Sequence, residues 1–303
     1  MSAVMNFRAS CLSGLIITGF SATAVLAEDH VTADGLANAL ADAVRTKSVE
    51  TMEELFGADA RDVLSTGNTL RDREIWSAFI DAFDDEYIVQ EIYGQYAVLL
   101  VGDDNWAFPM PLIKGDDGFW TFDVAEGVEE IARRQIGRNE LEVIEIMKSY
   151  VGVQAEYRSV DWDGDGVLEF AGNIISTEGE KDGLFWPGTD SPAGEFLARA
   201  EASGHVVDGE VISPEPYAGY VYRLFDKQGE NAPGGALDYV VNGNQIAGHA
   251  ALAVPAEYGV TGVMSFIVSE NGQVLELDLG EDGLEKSLEM DAYDPHADWS
   301  PVD

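Results

Sequence analysis

The chain has 303 residues, with 56 acidic against 17 basic side chains and a formal charge of −39. A field of that sign repels nucleic acid and anionic lipid headgroups and draws in cations. Hydrophobic residues make up 46% and aromatic residues 10%, which excludes a disordered polyanion and suits a folded chain of about two domains.

In chain order, Arg8 precedes a mostly apolar run over 12–26, closed by Ala27 before Glu28 and Asp29. A positive start, a short apolar core and a small terminal residue describe a secretory signal peptide over 1–27, cleaved after Ala27. The run is interrupted by Ser13, Gly14, Thr18, Gly19, Ser21 and Thr23, and is shorter than the roughly 20 apolar residues a membrane span needs. Cleavage leaves no membrane span, and it removes Cys11, the one cysteine. Disulfides, thiol catalysis and cysteine-ligated metals are then excluded from the mature chain. Export without disulfides fits a periplasmic bacterial protein large enough to build its own core.

The first expected domain covers 28–137. Leu36, Leu40 and Val44 recur at helical spacing behind Thr32, a suitable N-cap. Ser48 opens a second helix carrying Met52, Leu55 and Phe56. A third helix, from Thr69, buries Ile75, Phe79 and Phe83. Strands are predicted over 87–93, 95–101, 106–113 and 119–122, the last two joined by a hairpin at 114–118. Pro109 and Pro111 make the third strand an edge or a bulge. Helices followed by antiparallel strands indicate an α+β layer with the helices on one sheet face. This order resembles the curved, cone-like fold shared by nuclear transport factor two and many ligand-binding pockets.

The second expected domain covers 138–303. After a helical piece at 128–134 and a boundary near Gly137, a long helix is predicted over 139–157, with Asn139 as N-cap and Glu140 and Glu142 in its first turn. Irregular sequence to about Glu215 separates it from strands over 220–225, 237–241, 247–254, 263–268 and 274–277. Asn242-Gly243-Asn244 and Glu270-Asn271-Gly272 mark tight hairpins, and a last helical turn covers 284–290. A long helix and an antiparallel meander, ending in Tyr258-Gly259-Val260-Thr261-Gly262-Val263-Met264-Ser265-Phe266, resemble the globular heads of type IV pilins. The helix is internal and has no apolar stem before it, so a soluble pilin-like head, not a polymerising pilin, is the reading.

Between helix and strands lies Asp161-Trp162-Asp163-Gly164-Asp165-Gly166-Val167-Leu168-Glu169. Alternate aspartates in a tight loop send their oxygens toward one point, as in the first half of an EF-hand, where Asp161, Asp163 and Asp165 take positions one, three and five. Gly172 stands where that loop places its bidentate glutamate, so Glu169 and the Val167 carbonyl complete a shorter ligand set. Hard oxygen donors suit a structural Ca²⁺. The alternative is a solvated Asp/Gly turn.

Other candidates point less far. Arg133, Arg134 and Arg138 form a basic cluster, either an anion site or, as preferred, ion pairs with Glu129, Glu130, Glu140 or Glu142. Trp106, Phe108, Phe119 and Trp120, and then Phe185, Trp186, Tyr217, Tyr220 and Tyr222, read as core before pocket. His30, His205, His249 and His296 show no metal spacing. No nucleophile elbow, phosphate loop or dinucleotide fingerprint is present.

Trp106-Ala107-Phe108-Pro109-Met110-Pro111-Leu112, Arg133-Arg134-Gln135-Ile136-Gly137-Arg138-Asn139-Glu140, the acidic loop, Asp182-Gly183-Leu184-Phe185-Trp186-Pro187, Pro216-Tyr217-Ala218-Gly219-Tyr220, Ala232-Pro233-Gly234-Gly235-Ala236 and Pro255-Ala256-Glu257-Tyr258-Gly259 occur in that order. Together they resemble the domain-of-unknown-function family 2950, exported proteins of Gram-negative bacteria. The resemblance implies location and architecture and no catalytic residue. The expected role is non-enzymatic binding of an envelope protein or small ligand, or envelope assembly. The alternatives are an envelope hydrolase using carboxylates, and an accessory of a pilus or secretion system.

Overall fold

The computed structural model describes residues 28–58, 63–188, 190–193 and 217–302. The expected signal segment with Cys11, as well as His205 and Pro216, lies outside the described residues. The architecture is α+β, as predicted, with five α-helices and several antiparallel sheets among the described residues. The chain divides into two compact units, Met1–Gln135 and Ile136–Asp303.

In the first unit α1 (Ala33–Thr46) starts where Thr32 Oγ1 accepts from Gly35 N at 2.9 Å, and it ends at Lys47, whose φ of 56° turns the chain. Ser48 and Asn68 cap α2 (Val49–Phe56) and α3 (Thr69–Asp85) in the same way, each satisfying N–H groups that have no partner inside the helix. Strands β1 (Tyr87–Ile92) and β2 (Tyr96–Val101) form an antiparallel hairpin. Alternate residues of β2, Ala97, Leu99 and Val101, are buried with Leu36, Leu40, Phe79 and Phe83 of the helices. The period-2 pattern of the strand and the 3.6 period of the helices thus meet in one core. β3 (Trp106–Ala107) pairs with β2, and β4 (Leu112–Lys114) joins β2 to β5 (Trp120–Phe122). The single strand expected over 106–113 is therefore two short ones. Pro109 and Pro111 have no N–H to give a ladder, while Phe108 before them and Met110 between them are buried.

Gly137 does not interrupt the next helix. One helix, α4, runs 34 residues, Val124–Tyr157, and the division between the units falls within it. A mid-helix glycine costs only about 1 kcal/mol, too little to break a helix with buried contacts on both sides. Asn139 is accordingly not an N-cap. Its Nδ2 donates to Thr261 O at 2.8 Å, and Glu140 Oε1 accepts from both Val263 N and Met264 N at 2.9 Å.

Among the described residues of the stretch expected to be irregular, β6 (Asn173–Ile175) and β7 (Gly183–Phe185) form a short parallel pair. Then follow β8 (Tyr220–Phe225), β9 (Lys227–Gln228), β10 (Leu237–Asp238), β11 (Val240–Val241), β12 (Asn244–Gln245), β13 (Ala250–Pro255), β14 (Ser265–Ser269) and β15 (Leu275–Leu277). The central strands β13 and β14 are buried on both faces. The helix α5 (Gly283–Glu289) and β16 (Ser300–Pro301) close the chain, and the main sheet has the order β16-β15-β14-β13-β8. On one face Ala251, Ala253, Phe266 and Val268 pack with Val143, Met147 and Tyr150 of α4. On the other, Ala250, Leu252, Val254 and Ile267 pack with Phe225, Tyr239, Tyr293 and Trp299. No helix among the described residues is long and apolar enough to cross a membrane.

Candidate metal centre

The acidic loop leaves the C-terminal end of α4. Trp162 anchors it there, its Nε1 donating to Tyr157 O at 2.9 Å. Asp161 then folds the loop over itself: Oδ1 accepts from Gly164 N at 2.8 Å and Oδ2 from Gly166 N at 3.0 Å. Gly164 and Gly166 have φ of 79° and 89°, the left-handed backbone that glycine adopts without a Cβ penalty. Asp163 Oδ1 accepts from Asp165 N at 3.2 Å, and Asp165 Oδ1 from Val167 N at 2.7 Å.

This folding brings Asp161, Asp163 and Asp165 together, one carboxylate oxygen of each lying within 4.8 Å of the others. Ca²⁺–oxygen distances are about 2.3–2.6 Å, so oxygens on opposite sides of one ion are about 5 Å apart. The trio therefore fits a single coordination sphere. A carboxylate oxygen has two acceptor sites, so each can keep its backbone hydrogen bond and still face a cation.

The loop is also held from outside. Asn244 Nδ2 donates to Asp165 Oδ2 at 2.6 Å, Gln245 N to Glu169 Oε2 at 3.0 Å, and Phe170 N to Gln245 O at 2.8 Å. Glu169 stands outside the converging trio. Desolvation pushes its carboxyl pKa up against the Gln245 N–H, and the charges of Asp163, Asp165 and Asp161 push the same way. For Asp161, desolvation acts upward, but the Gly164 and Gly166 N–H groups outweigh it and hold the carboxyl below its ordinary value. The Val167 carbonyl, the remaining expected ligand, follows directly on Gly166.

Several other candidates have structural partners. Arg133 pairs with Glu126 at 2.7 Å and Glu130 at 3.1 Å, while Arg134 pairs with Glu130 at 2.7 Å and donates to Ala107 O at 2.8 Å. Phe108, Trp120, Phe185, Trp186 and Tyr220 are buried core residues. His296 lies 3.3 Å from Asp298. His249 is fully buried between the rings of Tyr150 and Phe170, and its Nδ1 has no hydrogen-bond partner among the described residues. A cavity of about 230 Å³ is lined by Val254, Pro255, Glu257, Tyr258, Ser265 and Leu284 among others. Sequence reasoning missed Asn244 and Gln245; their Asn-Gly hairpin signals the turn but not the loop it meets.

The model of a protein family of unknown function, DUF2950, matches residues 28–302. The chain belongs to the DUF2950 family. This DUF2950 chain is matched by no curated protein and no solved structure.

Proposed function

We propose that this DUF2950 protein is exported to the bacterial periplasm and acts there without catalysis, in binding or envelope assembly, with its second unit braced by one Ca²⁺. The observation that carries the cation is the convergence of Asp161, Asp163 and Asp165 within 4.8 Å. Three carboxylates so close repel one another, and a divalent ion turns that repulsion into attraction. Glu169 and the Val167 carbonyl would complete the protein's share of the ligands, with water supplying the rest. All donors are hard oxygens, which favours Ca²⁺ over Zn²⁺. An ion there ties the end of α4 to the β11–β12 hairpin through Asn244 and Gln245, a bracing role. Arg8, the apolar run and Ala27 support export.

Osmotic-shock fractionation of cells expressing the full chain tests both parts. The chain is expected in the released fraction with Glu28 as its first residue. It should resist protease in Ca²⁺ and be cut within 161–172 after chelation. Retention in the cytoplasm with residues 1–27 intact would refute export; cutting indifferent to chelator would refute the brace.

A further inference from the structure

The Lys181 ammonium lies 4.6 Å from the ring centroid of Trp162 and 5.0 Å from that of Trp186, and donates to Asp190 Oδ2 at 2.6 Å. The two indoles meet at 66° with centroids 4.8 Å apart. Trp186 Nε1 donates to Asp190 Oδ1 at 2.9 Å, so ring and carboxylate are held as one unit. Behind them the Tyr157 ring lies 6.2 Å from Trp162 and 6.5 Å from Trp186. From these relations we propose that Trp162, Trp186 and Asp190 form a receptor for the quaternary ammonium group of a small soluble cation, with Lys181 as its internal stand-in.

Cations are attracted to indole faces within about 6 Å, and crossed aromatic rings beside a carboxylate are the chemistry that recognises alkylated ammonium. Lys181 is a replaceable occupant. Its primary ammonium is strongly hydrated, and its pairing with Asp190 is a surface pair, with side chains 38% and 56% accessible. A trimethylammonium group has no N–H to leave unsatisfied and covers both rings with methyl groups. The Lys181 backbone is fixed separately: its carbonyl accepts from Tyr157 Oη at 2.7 Å, and Asp182 is held by Thr177 N at 2.7 Å. The side chain can therefore leave without disturbing β7. A ligand carrying its own carboxylate meets Asp190 and a chain of charge −39, so choline is favoured over glycine betaine.

The test is a titration of the whole protein with choline chloride, followed by the indole N–H signals in ¹H–¹⁵N spectra, with sodium chloride at matched ionic strength as control. Trp76, Trp106, Trp120 and Trp299 serve as internal references. Saturable shifts confined to Trp162 and Trp186 are expected. Lys181→Gln should lower the midpoint about tenfold by removing the competitor, and Asp190→Asn should raise it. Glycine betaine should bind more weakly. The proposal is overturned if neither the natural chain nor Lys181→Gln shifts saturably, if their midpoints coincide, or if all six indoles move together.

Discussion

Asn244 and Asp165, 79 residues apart in sequence, are joined by a hydrogen bond of 2.6 Å from Nδ2 to Oδ2. With the Gln245–Glu169 and Phe170–Gln245 bonds, it makes the acidic loop a continuation of the β11–β12 hairpin. The aspartates are thus held in place by the protein's own hydrogen bonds, which would reduce the ordering that a bound ion must impose.

Removing that tie should weaken the loop. Asn244→Ala is expected to lower stability by about 1 kcal/mol, the worth of one hydrogen bond. Asn244→Asp should lower it further in chelator, because it adds a fourth carboxylate beside the trio, and should recover with Ca²⁺. Urea unfolding with and without chelator checks both; an unchanged midpoint for Asn244→Asp in chelator would count against the pre-formed loop.

His249 predicts a pH dependence. Burial, with Arg158 acting the same way, lowers its pKa from 6.5 to about 4. Between those values the unfolded chain binds a proton that the folded chain refuses. Stability from this group is therefore complete above about pH 6.5 and falls as pH drops toward 4, by about 2 kcal/mol between pH 7.5 and pH 5. His249→Phe keeps a ring against Tyr150 and Phe170 and removes the unpartnered Nδ1. In urea unfolding at the two pH values, the variant should lose about 2 kcal/mol less than the natural chain. Equal losses would show that His249 does not titrate as its burial requires.

Glu140 holds two backbone N–H groups, those of Val263 and Met264. Glu140→Ala leaves both without their acceptor and should cost about 2–4 kcal/mol, whereas Glu140→Gln keeps an acceptor oxygen and should cost about 1 kcal/mol. Denaturant midpoints separate the two. Equal effects would mean that the carboxylate serves only as charge.

These residues also show what a sequence conveys. The first three helices are legible because their starts at Thr32 and Ser48 and the spacing of Ile75, Phe79 and Phe83 are local facts. Local signals mislead at Gly137 and Asn139. Glycine and a good capping residue suggest a helix start there, yet the helix runs on unbroken, and Asn139 and Glu140 instead meet partners more than 120 residues on. The β6–β7 pair escapes notice because three-residue strands are too short to show a period. The aspartate trio is visible in its own spacing. Asn244, and Lys181 over two indoles, are not, since only tertiary folding brings them to their partners.

Thermal unfolding of chelator-treated protein, with and without several millimolar Ca²⁺, asks most simply whether Asp161, Asp163 and Asp165 hold an ion. At the 10⁻⁴–10⁻³ M affinity usual for extracellular calcium modules, mass action should raise the Tm of the second unit by about 2–9 °C. Asp163→Ala should abolish the rise. A natural chain that melts at the same temperature in calcium and in chelator would show that the three carboxylates hold none.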